Sequence, residues 1–353
     1  MPFIVPAFAK IRDDLLRDLK NQMPDADVGP DSDYFIRATS VASAVEGLYQ
    51  HQAWIVRQIF PDTADTEYLE LHARTRGLTR KPAVAAQGQI SVAGTPGAAV
   101  PSGLTAKLGE QTYVTTQASV IDANGVATVT AVASTPGMAG NASANAVVEL
   151  TAAPSGVTSQ ATIVTMTGGV DEESDGELLA RLLELIRRPP AGGNKYDYRR
   201  WAMEVAGVTA AFVYPLRRGL GTVDVVITSA GSLPSAATLT AVQDHIDDVR
   251  PVTAKNSLVL APTLKVVDVN VAVQLSGATL AVAQAHIEAA LGAYFNQLAP
   301  GETAIKSRIE ALVSDLSGVI DRAVTLPVAN VVPTVDASLV EWVRLGTVTV
   351  GAL

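Results

Sequence analysis

From about Ala7 to Met23, apolar residues recur at helical spacing. Phe8, Ile11, Leu15, Leu16 and Leu19 share one face, with Arg12, Asp13, Arg17 and Asp18 on the other. Residues 24–30 form a break bounded by prolines. Asp31, Ser32 or Asp33 is placed to cap a second helix, expected to run to about Phe60. That helix carries a distinct seam. Tyr34, Ala38, Val41, Val45, Leu48, Gln52, Ile55 and Ile59 are spaced alternately four and three apart, which is the heptad pattern of a helix that meets another helix. Gln52 is a polar member of the seam, and such a residue sets register or partner number. Two readings stand. The seam meets another chain, or the helix packs inside its own domain with Gln52 at a wet edge. Pro61 ends the helix, and a third is expected over about Thr66 to Arg76, stopped by Gly77.

At Lys81-Pro82 the pattern changes from a helical period to alternation. From Ala83 to about Met166 the chain is rich in Gly, Ala, Val, Thr and Ser and poor in charge. Short alternating runs (GQISVAG, QTYVTTQASVI, VATVTAVAS, AVVEL) read as strands, and Asn124-Gly125 accepts the positive φ of a hairpin turn. This predicts an all-β domain, a small sandwich or barrel. A helical module follows. Asp171, Glu172, Glu173 and Asp175 place negative charge where a helix N-terminus favours it. Pro189-Pro190 stop that helix, a Gly192-Gly193 loop leads to a second helix bearing Tyr198 and Trp201, and Gly207 ends it.

Beyond Val208 the pattern mixes strands and helices. GTVDVVITS, NSLVLAP, TLKVVDVNVAVQL, GVIDRAVTLP and GTVTVGAL read as strands; Ala237–Val249, Leu280–Leu298 and Ile305–Leu316 read as helices. A faint repeat joins Gly207-Val208, Pro215 and Gly221-Thr222-Val223 to Gly318-Val319, Pro327 and Gly346-Thr347-Val348. Two related units would produce it, and so would convergent helix-to-strand turn chemistry. The expected architecture is therefore α+β and multidomain, with an N-terminal helical region, a central all-β domain and C-terminal α+β units. The expected segments are 1–80, 81–168, 169–262 and 263–353.

Composition narrows the function. The formal net charge of −9 argues against nucleic acid as the principal partner, which would need clustered positive charge. With no cysteine, disulfides, thiolate metal sites and cysteine nucleophiles are excluded. The N-terminus MPFIVPAFAKIRDDLL lacks a basic region and a long apolar run, so a signal peptide is not expected. No stretch has the roughly 18 uninterrupted apolar residues of a spanning helix.

Candidate chemistry is sparse. His51, His72, His245 and His286 form no HExxH or HxH pair. Glu70 and His72 lie on different helix faces, and a solvated histidine at the helix end is expected there. The Asp171–Asp175 carboxylates lack EF-hand spacing, which leaves a helix cap as the better reading. Gly219-Leu220-Gly221 precedes a strand rather than following one, so it does not match a dinucleotide site. Arg217 and Arg218 in that loop tip a hairpin or touch a neighbouring subunit. Arg187-Arg188 complements a helix C-terminus. Asn141-Ala142-Ser143 is a glycosylation sequon without meaning in the absence of secretion. No enzymatic activity, cofactor or metal is expected.

Several stretches resemble the baseplate J-like family in order and approximate spacing. They are YLELHARTRGLTRKPA (68–83), VPSG (100–103), TPGMAGNASA (135–144), GVTS (156–159), TGGVDEESDGELLAR (167–181), PPAGGNKYDYRRWAMEVAGV (189–208) and RPVTAKNSLVLAP (250–262). Gly176 departs from the family, which tends to carry an acidic residue there. The family-motif residues of structural interest are Gly168, Gly169, Asp171, Pro189, Pro190, Tyr198, Trp201 and Gly207. The resemblance implies a wedge subunit of a contractile-tail baseplate, as in Mu-like phages and R-type pyocins. It implies pairing with other copies of itself and a helical bundle with a smaller wedge protein. It further implies a six-fold ring around the tail hub, contacts with sheath-proximal proteins, and rearrangement on sheath contraction. The location implied is the virion tail baseplate, assembled in the bacterial host cytoplasm, with no nucleic acid bound and no membrane insertion. The seam residues Val41, Val45, Leu48, Gln52, Ile55 and Ile59 become the candidate partner interface. A rival reading, a secreted β-rich adhesin or passenger protein, rests on the Gly/Ala/Thr/Val region.

Overall fold

The helical spacing of the first part of the chain produces three helices in the computed structural model, which describes residues 4–353. They are α1 (Phe8–Gln22), α2 (Asp33–Ile59) and α3 (Thr66–Arg74). Helix α2 starts where the Ser32 hydroxyl accepts the Phe35 N–H at 3.1 Å, with Asp33 adding negative charge to the first turn. After Pro61 the chain turns about the buried Gln58. Its side-chain oxygen accepts the Asp65 N–H, and its amide donates to the Asp65 carboxylate and the Trp54 carbonyl. The side chain of His72, expected to be solvated, bonds the Gln58 main-chain carbonyl at 2.7 Å.

A fourth helix, α4 (Asp175–Arg187), arrives from much later in the chain. Residues up to Arg80 and Ser174–Arg187 form one unit. Its small core joins Leu69, Ala73 and Leu78 to Leu178 and Leu182. Arg80 clamps it, donating to Glu70 at 2.8 Å and to Asp175 at 2.6 Å. Hydrogen bonds from Thr66 and then Arg80 hold the Asp175 carboxyl below its usual range. The segment expected at 169–262 thus gives its first helix to the helical unit.

The acidic run does not cap α4 as a block. Ser174 caps it: the Ser174 hydroxyl and N–H both donate to the Glu177 carboxylate, and the Glu177 N–H donates back to the hydroxyl. This is the reciprocal arrangement of an S-x-x-E box. Asp171, Glu172 and Glu173 lie before the helix.

The second unit holds Lys81–Glu173 and Arg188–Leu353. Its first part is a closed barrel, resolving the sandwich-or-barrel expectation. The chain runs β1 (Gln87–Gly94), β2 (Ala99–Val100), β3 (Thr105–Leu108), β4 (Gln111–Thr115), β5 (Ser119–Val120), β6 (Val126–Ala133), β7 (Val147–Leu150) and β8 (Val157–Thr167). Six of these close in the order β1-β6-β4-β3-β7-β8, while β2 and β5 pair with each other. The core uses many small side chains, among them Ala86, Ala106, Ala127, Ala131, Ala133 and Ala161, beside Ile90, Ile163 and Met166. Small interior residues suit a barrel of few strands, whose interior is narrow. Tyr113 is fully enclosed there, and burial pushes its phenol pKa up.

Two three-stranded sheets complete the unit. β9 (Ala210–Pro215), β10 (Thr222–Thr228) and β11 (Asn256–Leu260) follow the order β11-β10-β9, with α5 (Lys195–Glu204) and α6 (Ala236–Val249) packed on them. β12 (Thr263–Leu275), β13 (Val319–Leu326) and β14 (Glu341–Ala352) follow the order β13-β12-β14, with α7 (Leu280–Gln297) and α8 (Lys306–Ser314). Each central strand has one antiparallel and one parallel neighbour: β10 lies antiparallel to β9 and parallel to β11, and β12 lies antiparallel to β13 and parallel to β14. The sheets share this arrangement, yet the strands suggested as repeats do not match in pairing. β9 and β10 are direct partners, whereas β12 separates β13 from β14. No described helix is long and apolar enough to cross a membrane.

Candidate functional site

Three of the motif residues, Gly168, Gly169 and Asp171, meet where the chain enters and leaves the barrel. The Lys81 N–H donates to the Glu173 carboxylate, and the Glu173 N–H donates to the Lys81 carbonyl, both at 3.0 Å. Val84 and Val170 exchange backbone hydrogen bonds just beyond. The Asn141 side chain clamps Gly169 from both sides, accepting its N–H and donating to its carbonyl at 2.8 Å each. Asp171 accepts the Met138 N–H at 2.8 Å, so its role is to fasten residues 137–138 rather than to cap a helix. Both glycines are required here. A Cβ on Gly169 would sit 2.4 Å from the Gly137 carbonyl oxygen, and Gly168, at φ +82°, would meet Ser235 at 2.6 Å.

The same junction reaches the next layer. The Lys81 ammonium donates to the Met203 and Val208 carbonyls at 3.1 and 2.7 Å, meeting the carbonyl end of α5, where positive charge is favoured. Ser235 caps α6 by accepting the Thr238 N–H. Gly207, at φ +90°, follows α5 as expected. Pro189 and Pro190 are exposed after α4. Tyr198 is buried and meets Trp201 edge-on, with ring centroids 5.0 Å apart. Helix α5 itself begins with a capping box of Asn194 and Asp197. Burial opposes the charge on Asp197, but the N–H groups of Gly193, Ala191 and Asn194 and the Arg200 guanidinium outweigh it and hold the carboxyl below its usual range.

Sequence reading missed three members of this junction. Lys81 was read only as a boundary, Asn141 only as a sequon, and Ser235 only as a residue preceding a helix. Asn141 had no local signal, because its partner Gly169 lies 28 residues further along the chain. The S-x-x-E spacing of Ser174 and Glu177 was legible.

The second feature is the seam of α2. Val41, Leu48, Ile55 and Ile59 are 49%, 63%, 44% and 57% exposed. Gln52 is exposed and Val45 half-buried, whereas Ala42 and Gln58, off the seam, are buried. α1 packs along α2 with Arg12 stacked 4.8 Å over the Phe35 ring. The residues picked out by heptad spacing thus form a long apolar stripe at the surface of the unit. Among the described residues no group of His, Asp and Glu is arranged to hold a metal ion.

Three domain profiles match in chain order: a Baseplate J-like protein barrel domain over 89–169, a Baseplate J-like central domain over 190–261, and a Baseplate J-like protein C-terminal domain over 267–351. The baseplate protein gp47 of Escherichia phage Mu is 33% identical over 323 residues, covering 86% of this chain and 89% of that protein. The chain belongs to the baseplate J-like family. Mu-like prophage FluMu protein gp47 of Haemophilus influenzae is 34% identical over 304 residues, covering 82% and 84% of the two chains. Phage-like element PBSX protein XkdT of Bacillus subtilis is 32% identical over 216 residues, covering 59% and 58%. A chain in the six-fold symmetrised cryo-EM structure of the anti-feeding prophage baseplate is 12% identical, with a TM-score of 0.37, over 95% of this chain and 90% of that one. That likeness is too remote to bear on the fold. As a baseplate J-like protein the chain has a structural role in the phage tail baseplate, in assembly with other baseplate components. The barrel profile ends at Gly169, inside the Asn141 clamp, and the central profile begins at Pro190.

Proposed function

We propose that this chain is a wedge subunit of the baseplate of a contractile phage tail or related injection machine. In this reading copies pair, join a smaller wedge protein and close a six-fold ring around the tail hub, near the sheath-proximal proteins. The ring assembles in the host cytoplasm and changes arrangement when the sheath contracts. Its work is mechanical: interface energy holds one arrangement until a signal favours the other, as any two-state assembly requires. No catalytic step enters it. The division into 1–80, 81–168, 169–262 and 263–353 is carried as the working domain map, with α4 serving the helical unit.

The observation that supports this reading is the exposed stripe of α2. An apolar stripe at heptad spacing costs solvation free energy in a free chain and is relieved when another helix covers it. The test is Leu48→Asp with Ile55→Asp. Both positions are exposed, so circular dichroism of the free chain should be unchanged. Capture of the smaller wedge protein in co-expression, and incorporation into particles, should be lost, because charge buried in an apolar contact costs several kcal/mol. Normal assembly by the double variant would remove α2 from the interface, and unfolding of the free chain would return the seam to the chain's own core.

A further inference from the structure

Three loops meet at one end of the β11-β10-β9 sheet. They are residues 188–196, 216–221 and 250–256. Two four-residue turns lie side by side there. The Thr222 N–H donates to the Gly219 carbonyl, the Ala254 N–H donates to the Pro251 carbonyl, and the Lys255 N–H joins the turns through the Gly221 carbonyl. The third loop abuts them, since a Cβ on Gly193 would meet the Pro251 ring at 2.7 Å.

Each of the two turns lifts an aliphatic side chain off the surface at its second position. Leu220 is 84% exposed and Val252 fully so, with Leu216, 56% exposed, beside them. They give this end a raised apolar tip that a partner would bury.

The charge carried by the loops themselves has one sign. The three loops hold Arg188, Lys195, Arg217, Arg218, Arg250 and Lys255 and not one Asp or Glu, in a chain of net charge −9. Of the nearby acids, Asp224 is buried under Arg217 and Arg218 and Asp247 is held by Arg250, while Asp248 at the end of α6 and Asp336, whose carbonyl accepts from Arg217, are exposed outside these loops. Lys195 and Lys255 are exposed. The end is therefore an apolar tip with a basic rim, suited to an acidic protein surface. The one aromatic of these loops, Tyr196, is half-buried with Arg188 stacked 4.1 Å over its ring, which disfavours a single-stranded nucleic acid, since that would want several open stacking platforms.

We infer that this end docks a second copy of the chain, received through the aspartate-rich turn between that copy's α1 and α2. Residues 24–33 of the sequence carry Asp25, Asp27, Asp31 and Asp33 and no Lys or Arg. Asp25 and Asp31 are exposed, while Asp27 accepts the Gly29 N–H and Asp33 pairs with Arg37. A contact between two different patches on identical chains is heterologous, and repetition of it propagates around a ring or along a filament. The inference rests on the self-assembly proposed above and names a contact separate from the α2 seam.

The experiment is sedimentation velocity of the full chain at low and high ionic strength. Wild type should associate, less so in high salt. Lys195→Glu with Lys255→Glu, and separately Asp25→Lys with Asp31→Lys, should each weaken association by about tenfold or more. Mixing the two variants should restore it. Leu220→Ser with Val252→Ser removes the tips at constant charge and should weaken association too, which keeps the test valid if the charge reversal disturbs folding. A chain monomeric in every condition, a Lys variant that associates normally, or a failed rescue overturns the inference. So does binding to anionic vesicles or DNA that the Lys variant loses while self-association is unchanged. Incorporation into particles reads the baseplate role independently, so either idea can fail without the other.

Discussion

Helix α2 and the barrel solve opposite problems with similar side chains. Both are rich in aliphatic residues. In the barrel those residues alternate, closure turns one set inward, and Ile90, Ile163 and Val148 lose all contact with water. In α2 they follow a heptad spacing and several stay exposed, with only Ala42 and Gln58 buried. The barrel satisfies its own backbone by closing on itself, which removes free edges. An α-helix satisfies its backbone locally and gains its tertiary stability from whatever covers its apolar stripe. The barrel is therefore finished within one chain, whereas α2 keeps an apolar stripe exposed, as the proposed interface requires.

The comparison can be broken by mutation. The largest effect is expected in the barrel, where Ile163→Ala should cost about 3 kcal/mol in urea unfolding because the enclosed site cannot collapse fully. Next comes the junction, where Gly169→Ala forces a methyl group against the Gly137 carbonyl and should cost about 2 kcal/mol. Asp197→Asn should cost about 1.5 kcal/mol at neutral pH by weakening charge-assisted bonds at the start of α5. Because the folded carboxyl is held below its unfolded value, that stabilisation is present above the ordinary carboxylate range and disappears as pH falls through the folded pKa. The gap between wild type and variant should therefore narrow on acidification, and a gap constant with pH would remove the charge from the explanation. The smallest effect is expected on α2, where Leu48→Ala should change the free chain by less than about 0.5 kcal/mol. If Leu48→Ala proved as costly as Ile163→Ala, the contrast between the two regions would collapse.

The sequence was most readable where structure has local causes. Ser32, Pro61 and Gly77 bracket α2 and α3 because caps and stops act within a turn of the chain. The α+β order and the β-domain followed from the change of period at Lys81-Pro82. Closure of the barrel was not readable, since it depends on β1 pairing with β8, whose Gln87↔Thr167 register spans the whole domain. The same limit explains Asp171. Its composition suited a helix start, but its partner is the Met138 N–H, brought near by folding. The membership of α4 in the helical unit depends on Leu178 and Leu182 meeting Leu69 and Ala73, a contact without local signal. The apolar stripe of α2 was readable because heptad spacing is a property of one helix alone.

The reciprocal bonds between Lys81 and Glu173 give the barrel an architectural property of its own. Its two chain ends leave side by side, zipped by hydrogen bonds from Lys81–Glu173, one of them to the Glu173 carboxylate, to the backbone pair Val84–Val170. In the language of gene design it is a cassette with adjacent splice points. Growth at a hairpin far from that seam, such as Asp122–Val126, would leave both splice points where they are.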